Sequence, residues 1–160
     1  MKNSHLIFAV LCFFVFTNCR TTIKIGDPTP LTTTINLKGQ PLTIAYQSTD
    51  LTKNFMISVK NHLCQELQLK GVNAQLETSK DKLPSQNVLF LNVENEQSRK
   101  IGHAMGVVVQ LKHTTIGVEL KNTEGGVLRK EQIVVRHIYD SEQTFIATKI
   151  AKQLSDILTK

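Results

Sequence analysis

Apolar positions along this chain change their spacing several times, and each change marks an element. An unbroken run comes first, Leu6 to Phe16 (LIFAVLCFFVF). Its eleven residues match a signal-peptide core and fall short of the roughly 20 that a membrane span requires. Thr-rich polar sequence with Pro28, Pro30, Gly26 and Gly39 then extends to Gln40. It buries little and suits an extended tether, within which Thr21–Ile25 has the pattern of a short edge strand. From Pro41 the chain becomes periodic. Leu42-Thr43-Ile44-Ala45-Tyr46 alternates as a strand does. Phe55, Val59, Leu63 and Leu67 recur every four residues, with Met56 and Leu69 widening the stripe. Lys53, Lys60, Asn61 and Gln68 lie opposite, so residues 51–70 form a one-sided core helix. Thr49 or Asp50 supplies its N-cap, and Gly71 closes it at a left-handed position.

Val72, Ala74 and Leu76 alternate as a half-exposed strand, and residues 79–85 read as a loop. Val88-Leu89-Phe90-Leu91 is apolar on both faces, the mark of a central or doubly covered strand. The polar stretch Glu94–Arg99, then Gly102 and Gly106, predict a break. Gly106 to Ile138 reads as a long hairpin. Its apolar residues sit first at odd positions (Val107, Val109, Leu111) and then at even ones (Ile116, Val118, Leu120). A strand changes faces through a bulge or turn, so one is expected at His113-Thr114-Thr115. Asn122–Gly126 is a glycine-rich connection of hairpin length, and Val127–Ile138 returns as a strand. Asp140 or Ser141 caps a last helix with Phe145, Ile146, Ile150, Leu154, Ile157 and Leu158 as its buried stripe. The order β-α-β-β-β-β-α predicts an α+β domain over residues 41–160, two helices on a small, mostly antiparallel sheet.

The start of the chain predicts export. Lys2 precedes the apolar run, which ends in Thr17-Asn18-Cys19. An ordinary secretory cut requires small residues at two flanking positions, which Val15 and Thr17 meet poorly. Phe16-Thr17-Asn18-Cys19 is similar to the relaxed lipoboxes of some diderm bacteria, in which the cysteine takes a diacylglyceryl group and becomes the new N-terminus. Residues 1–18 are then a lipoprotein signal peptide, residues 19–40 a lipidated cysteine and flexible tether, and residues 41–160 one domain. At about 0.8 kcal/mol per buried methylene, two or three acyl chains make desorption negligible. Arg20, rather than Asp, follows the cysteine, which favours the outer membrane.

Composition narrows the rest. Of three cysteines, Cys12 leaves with the leader and Cys19 takes lipid, so Cys64 has no partner for a disulfide. On a helix beside Leu63 and Leu67 it is expected to be a small buried hydrophobe. Basic residues exceed acidic ones, and the excess is concentrated between Arg99 and Ile138, where seven Lys and Arg face three Glu. Such a field favours anionic partners: lipid phosphates, lipopolysaccharide or wall polymers. Arg129, Lys130 and Arg136 are the expected contacts, with a merely solvated strand face as the competing reading. Nucleic acid is not an expected partner, because no aromatic residues interleave with the basic ones to stack bases. Phosphate loops, G-x-S-x-G, zinc-type cysteine pairs and H-E-x-x-H are all absent. A hairpin around Glu124 brings His113 near His137, but without an acid or thiol no metal site is expected there. No cofactor and no enzymatic activity are expected.

A lipidated cysteine, a tether, then strand, helix, small sheet and closing helix resembles envelope accessory lipoproteins. That group includes the lipopolysaccharide-assembly lipoprotein (LptE-like), auxiliary lipoproteins of lipid-transporting ABC systems, and outer-membrane activators of peptidoglycan synthases. Val118–Leu128, with its strand, Asn-x-x-Gly and strand, and the helix Phe145–Leu154 bear the likeness. The resemblance implies a non-enzymatic accessory subunit in outer-membrane assembly or lipid/lipopolysaccharide transport. It implies an outer-membrane protein or lipopolysaccharide as partner, besides the membrane that holds Cys19. A surface-exposed lipoprotein binding host or matrix ligands is the alternative.

Overall fold

In the computed structural model, which describes residues 22–25, 36–50, 52–77, 86–104, 107–137 and 143–159, eight elements follow one another. They are β1 (Thr22–Ile25), β2 (Pro41–Gln47), α1 (Lys53–Leu69), β3 (Asn73–Leu76), β4 (Asn87–Ala104), β5 (Val107–Lys121), β6 (Val127–His137) and α2 (Gln143–Leu158). The six strands form one sheet in the order β1-β6-β5-β4-β2-β3. From β2 onward the order is the expected β-α-β-β-β-β-α, and the fold is α+β. The β2-α1-β3 unit is a parallel crossover, β2 also runs parallel to β4, and the remaining pairings are antiparallel. The signal peptide, Cys19, most of the tether, the 79–85 loop and the caps Asp140 and Ser141 lie outside the described residues. Within the tether stretch, Thr22–Ile25 pairs with β6 as an edge strand.

One face of the sheet carries the core. Leu42, Ile44, Leu89, Leu91, Ile116, Val118, Leu120, Ile133 and Val135 are buried there. They alternate with residues of the opposite face, as period-two side chains must. Phe55, Met56, Val59, Leu63, Cys64 and Leu67 of α1 join the same cluster. So do Ile146, Ile150, Leu154 and Leu158 of α2. Near their C-terminal ends the two helices are linked by an ion pair between Lys70 and Asp156.

Several expectations change. Leu69 is 82% and Phe145 57% exposed. Leu69 lies about 200° around the helix from Leu67 and so points away from the sheet. In α2 the place expected for Phe145 is taken by Ala147, Ala151 and Ser155, all buried, while Lys149 Nζ stands 4.3 Å from the Phe145 ring centre. Thr52, not Thr49 or Asp50, holds the N-cap of α1, and its side chain makes no cap hydrogen bond. Its hydroxyl instead turns back, 2.9 Å from Thr49 Oγ1. Gly71 does close α1 with φ +82°, donating to the Gln68 carbonyl at 3.0 Å. Cys64 is buried, and its thiol donates to the Ala74 carbonyl at 3.5 Å. Burial pushes that thiol up, leaving it a poor nucleophile.

The largest correction concerns the long strands. The polar stretch Glu94–Arg99 does not break the chain; it continues β4 against β5. β5 runs through His113-Thr114-Thr115 without interruption, and the register shifts lie in its partner, at Val93/Asn95 and Lys100/Gly102. The ladder to β5 pairs one edge of this polar stretch, and β2 ends opposite Asn92 on the other. The apolar switch in β5 marks a change of face along an unbroken strand. The hairpin between β5 and β6 forms as expected, with Gly125 at φ +82° and the Asn122 carboxamide accepting from Glu124 N (3.1 Å) and Gly126 N (2.7 Å).

Ile116 lies between Val93 and Ile133 in the register and is fully buried. Ile116→Ala is expected to cost about 2–5 kcal/mol. Leu69→Ala and Phe145→Ala are expected to cost under about 1 kcal/mol each. Urea denaturation measures all three.

Candidate functional site

Among the described residues both helices lie on one face of the sheet, and the opposite face is the open one. Along it β4, β5 and β6 present two electrostatic regions. Near the β5–β6 turn the charges are paired: Lys121 and Lys130 lie 3.1 and 3.2 Å from the Glu119 carboxylate. Hydrogen bonds from Lys121 and then Lys130 hold the Glu119 carboxyl below the usual carboxylate range. Midway, Glu94 accepts from Gln132 Nε2 at 2.7 Å. Its carboxylate lies across Gly117, where an added Cβ would come within 2.3 Å of Glu94 Oε1.

At the other end the charge is one-signed. The register aligns Gln97 with His113 and His113 with Arg136, and Arg99 with Leu111 one row farther. Gln97, Ser98, Arg99, Leu111, His113 and Arg136 line a groove of about 600 Å³. None of the six is an acid. Arg99 and Arg136 are both exposed. Leu111 is half-buried and gives the groove an apolar patch.

The β4 bulge makes this groove. Before it, odd residues Leu89, Leu91 and Val93 face the helices, aligned with Leu120, Val118 and Ile116. The extra residue at Glu94 reverses the parity, so Gln97 and Arg99 align with His113 and Leu111 on the open face. Without the bulge, the Arg99 guanidinium would be directed to the helix side. Arg99 belonged to the basic stretch visible in the sequence, but its partnership with Arg136 depends on that one-residue shift.

The three basic residues expected to act together do not share a site. Arg136 lines the groove. Lys130 is on the same face, paired with Glu119, six residues and about 20 Å along the strand. Arg129 aligns with Leu120 on the helix side. Its Nε donates to Glu131 Oε1 at 2.7 Å and its Nη1 to the Ile157 carbonyl at 2.9 Å. It thereby ties β6 to the last turn of α2, where orphan carbonyls favour a cation. The Glu131 side chain is 1% exposed, and its Oε2 has no hydrogen-bond partner. Arg129 is the only ion-pair partner of Glu131 among the described residues. His113 aligns with Arg136 and His137 with Lys112, each beside a basic residue. Among the described residues no group of three or more His, Cys, Asp or Glu is placed to hold a metal.

No protein-family profile and no curated protein matches the chain. Among solved structures it is similar to PelC from Paraburkholderia phytofirmans, a dodecamer. Two crystal forms, one of a single-substitution variant, align at 16% identity and TM-score 0.54, covering 88% of this chain and 99–100% of PelC. A minor lipoprotein from Acinetobacter baumannii aligns at 12% identity and TM-score 0.39, over 75% of this chain and 89% of that one. Rare lipoprotein B from Shewanella oneidensis aligns at 15% identity and TM-score 0.39, over 74% of this chain and 89% of its own. At this level of identity, the likeness to PelC establishes the fold.

Arg129→Ala leaves the buried Glu131 without its cation and is expected to cost about 3–5 kcal/mol by urea denaturation. Arg129→Met combined with Glu131→Leu is expected to recover most of that loss. Arg136→Ala, in the groove, is expected to change stability by under about 0.5 kcal/mol. Because the folded-state pKa of Glu119 is depressed, its contribution is present above the unfolded carboxylate pKa. It is lost as pH falls through the folded value. Glu119→Gln is therefore expected to lower stability at neutral pH by at most about 1 kcal/mol, the side chain being partly solvated. Mutant and wild type converge in acid.

Proposed function

We propose that this chain is a non-enzymatic, lipid-anchored protein of the bacterial cell envelope, held at the outer membrane through Cys19. In this reading it is an accessory subunit in outer-membrane assembly or in lipid or lipopolysaccharide transport. The observation that carries it is the one-signed groove of Arg99, His113 and Arg136 on an open sheet face, beside the strand that leads back to Cys19. An anionic ligand surface fits that face. The sequence supports the anchor, with its short apolar core followed by Thr17-Asn18-Cys19. The groove supplies cations and a hydrogen-bonding amide and hydroxyl, and its one hydroxyl, on Ser98, aligns with Lys112 and not with His113. That is the endowment of a binding surface rather than a reaction centre.

Cys19→Ser is expected to abolish incorporation of labelled palmitate and to release the protein from the membrane fraction. Retention of label in that variant would overturn the anchor. For the accessory role, crosslinking in intact cells followed by co-purification of the tagged protein is expected to yield a stoichiometric outer-membrane protein or lipopolysaccharide. Since PelC, of the same fold, forms a dodecamer, the purified material is also sized for multiple copies. Recovery of this chain alone, together with cleavage by protease added to intact cells, would replace the accessory role with surface display.

A further inference from the structure

Arg99 and Arg136 have no counterion in their own chain. Of the three arginines among the described residues, Arg129 pairs with the buried Glu131, whereas Arg99 and Arg136 make no ion pair there. The neighbouring acids are directed elsewhere. Glu96 precedes Gln97 but aligns with the buried Thr114, and it accepts from Thr49 Oγ1 at 3.3 Å. Glu94 is held by Gln132 over Gly117, two rows from His113. Glu119, three rows away, pairs with Lys121 and Lys130.

Solvation alone is the ordinary state of an exposed arginine. These two differ in standing around a common concavity. Arg136, His113 and Gln97 lie side by side on three neighbouring strands, each about 5 Å from the next, and Arg99 follows one row, about 7 Å, along β4. Two guanidinium forks thus flank an imidazole and a carboxamide in one groove of about 600 Å³. Leu111, aligned with Arg99 and half-buried, adds an apolar wall.

The donor set selects the ligand. A guanidinium fork fits the edge of a carboxylate or of a phosphate. A carboxylate offers two oxygens, and a single fork meets both. A phosphomonoester offers three terminal oxygens and a charge of roughly −1.5 to −2 at pH 7, so it takes a fork from each side and further N–H groups as well. Two fixed positive charges with no acid between them balance that charge.

We propose that the groove is a phosphate site. Arg99 and Arg136 clasp the terminal oxygens of a phosphomonoester from opposite sides, His113 and Gln97 donate to it between them, and its substituent leaves over Leu111. This names the ligand of the anionic surface proposed above and rests on that reading. A lipid headgroup and a soluble ester present the same phosphate chemistry to these side chains.

Calorimetric titration of the processed protein, purified from membranes in nonionic detergent, compares methyl phosphate with sodium acetate at one ionic strength. Methyl phosphate is expected to bind about tenfold tighter than acetate or more. Arg99→Gln and Arg136→Gln are each expected to weaken it about tenfold or more, as loss of a charge-assisted hydrogen bond does. Both residues are exposed, and urea denaturation confirms that each variant folds. Lys130→Gln, on the same face but outside the groove, is expected to leave the affinity unchanged. Glycerol 3-phosphate and its dihexanoyl ester tell the two sources apart. Tighter binding of the ester, with the gain lost in Leu111→Asn, supports the site and assigns it a lipid headgroup; equal binding supports the site and assigns it a soluble phosphate.

Acetate bound as well as methyl phosphate, with both weakened in Arg136→Gln, overturns the phosphate site and keeps a general anionic surface. Methyl phosphate bound equally by wild type and both arginine variants also overturns it, because the ion then sits elsewhere. Neither anion bound, alongside a stoichiometric partner on crosslinking, removes the site and keeps the accessory role. Phosphate bound in the groove of a protein that co-purifies with nothing keeps the site and removes that role.

Discussion

The β4–β5 ladder is the constraint on which the rest of this molecule depends. It runs from Val88 opposite Lys121 to Ala104 opposite Val107. Its lower half aligns Leu89, Leu91 and Val93 with Leu120, Val118 and Ile116, and these six supply the middle of the core under both helices. Its upper half begins with polar residues, from Asn95 opposite Thr115. Backbone hydrogen bonds to one partner are enough to continue a strand, so polar residues carry β4 on against β5. One ladder thus serves as the centre of the fold and as the wall of the groove.

A single extra residue divides the two roles. The shift at Val93/Asn95 is the point at which odd positions of β4 pass from the helix side to the open face. Glu94, at that point, is held by Gln132 and lies over Gly117, whose lack of a side chain leaves the space. Beyond it, Gln97 and Arg99 meet His113, Leu111 and Arg136. Charge on this face is sorted in the same way. Glu119 pairs with two lysines near the β5–β6 turn, and no acid lines the groove at the other end.

The ion pair of Arg129 and Glu131 shows why basic residues adjacent in sequence need not act together. Neighbours on a strand point to opposite faces. Arg129 turns to the helix layer, where it holds a buried carboxylate and a helix-end carbonyl. Lys130 turns to the open face. A charge serving the structure describes Arg129, whereas Arg136 lines the groove.

Local pattern determined much of this protein. Four-residue spacing placed α1 and its buried Phe55, Val59, Leu63 and Leu67. Alternation placed β2, β3 and the β5–β6 hairpin, and glycines at Gly71 and Gly125 stood where φ must be positive. The element order, and with it the α+β class, follows from periodicity because burying one face is a local requirement. Tertiary structure decided what pattern leaves open. Which of Phe145 and Ala147 faces the sheet depends on how closely the helices pack, and small side chains took the inner place. Whether a polar stretch is a loop or a strand depends on a partner elsewhere in the chain, and β5 made Glu94–Arg99 a strand. Most of all, the face on which Arg99 lies is fixed by cross-strand register, which no single segment encodes; the one-residue bulge at Glu94 sends Gln97 and Arg99 to the other side.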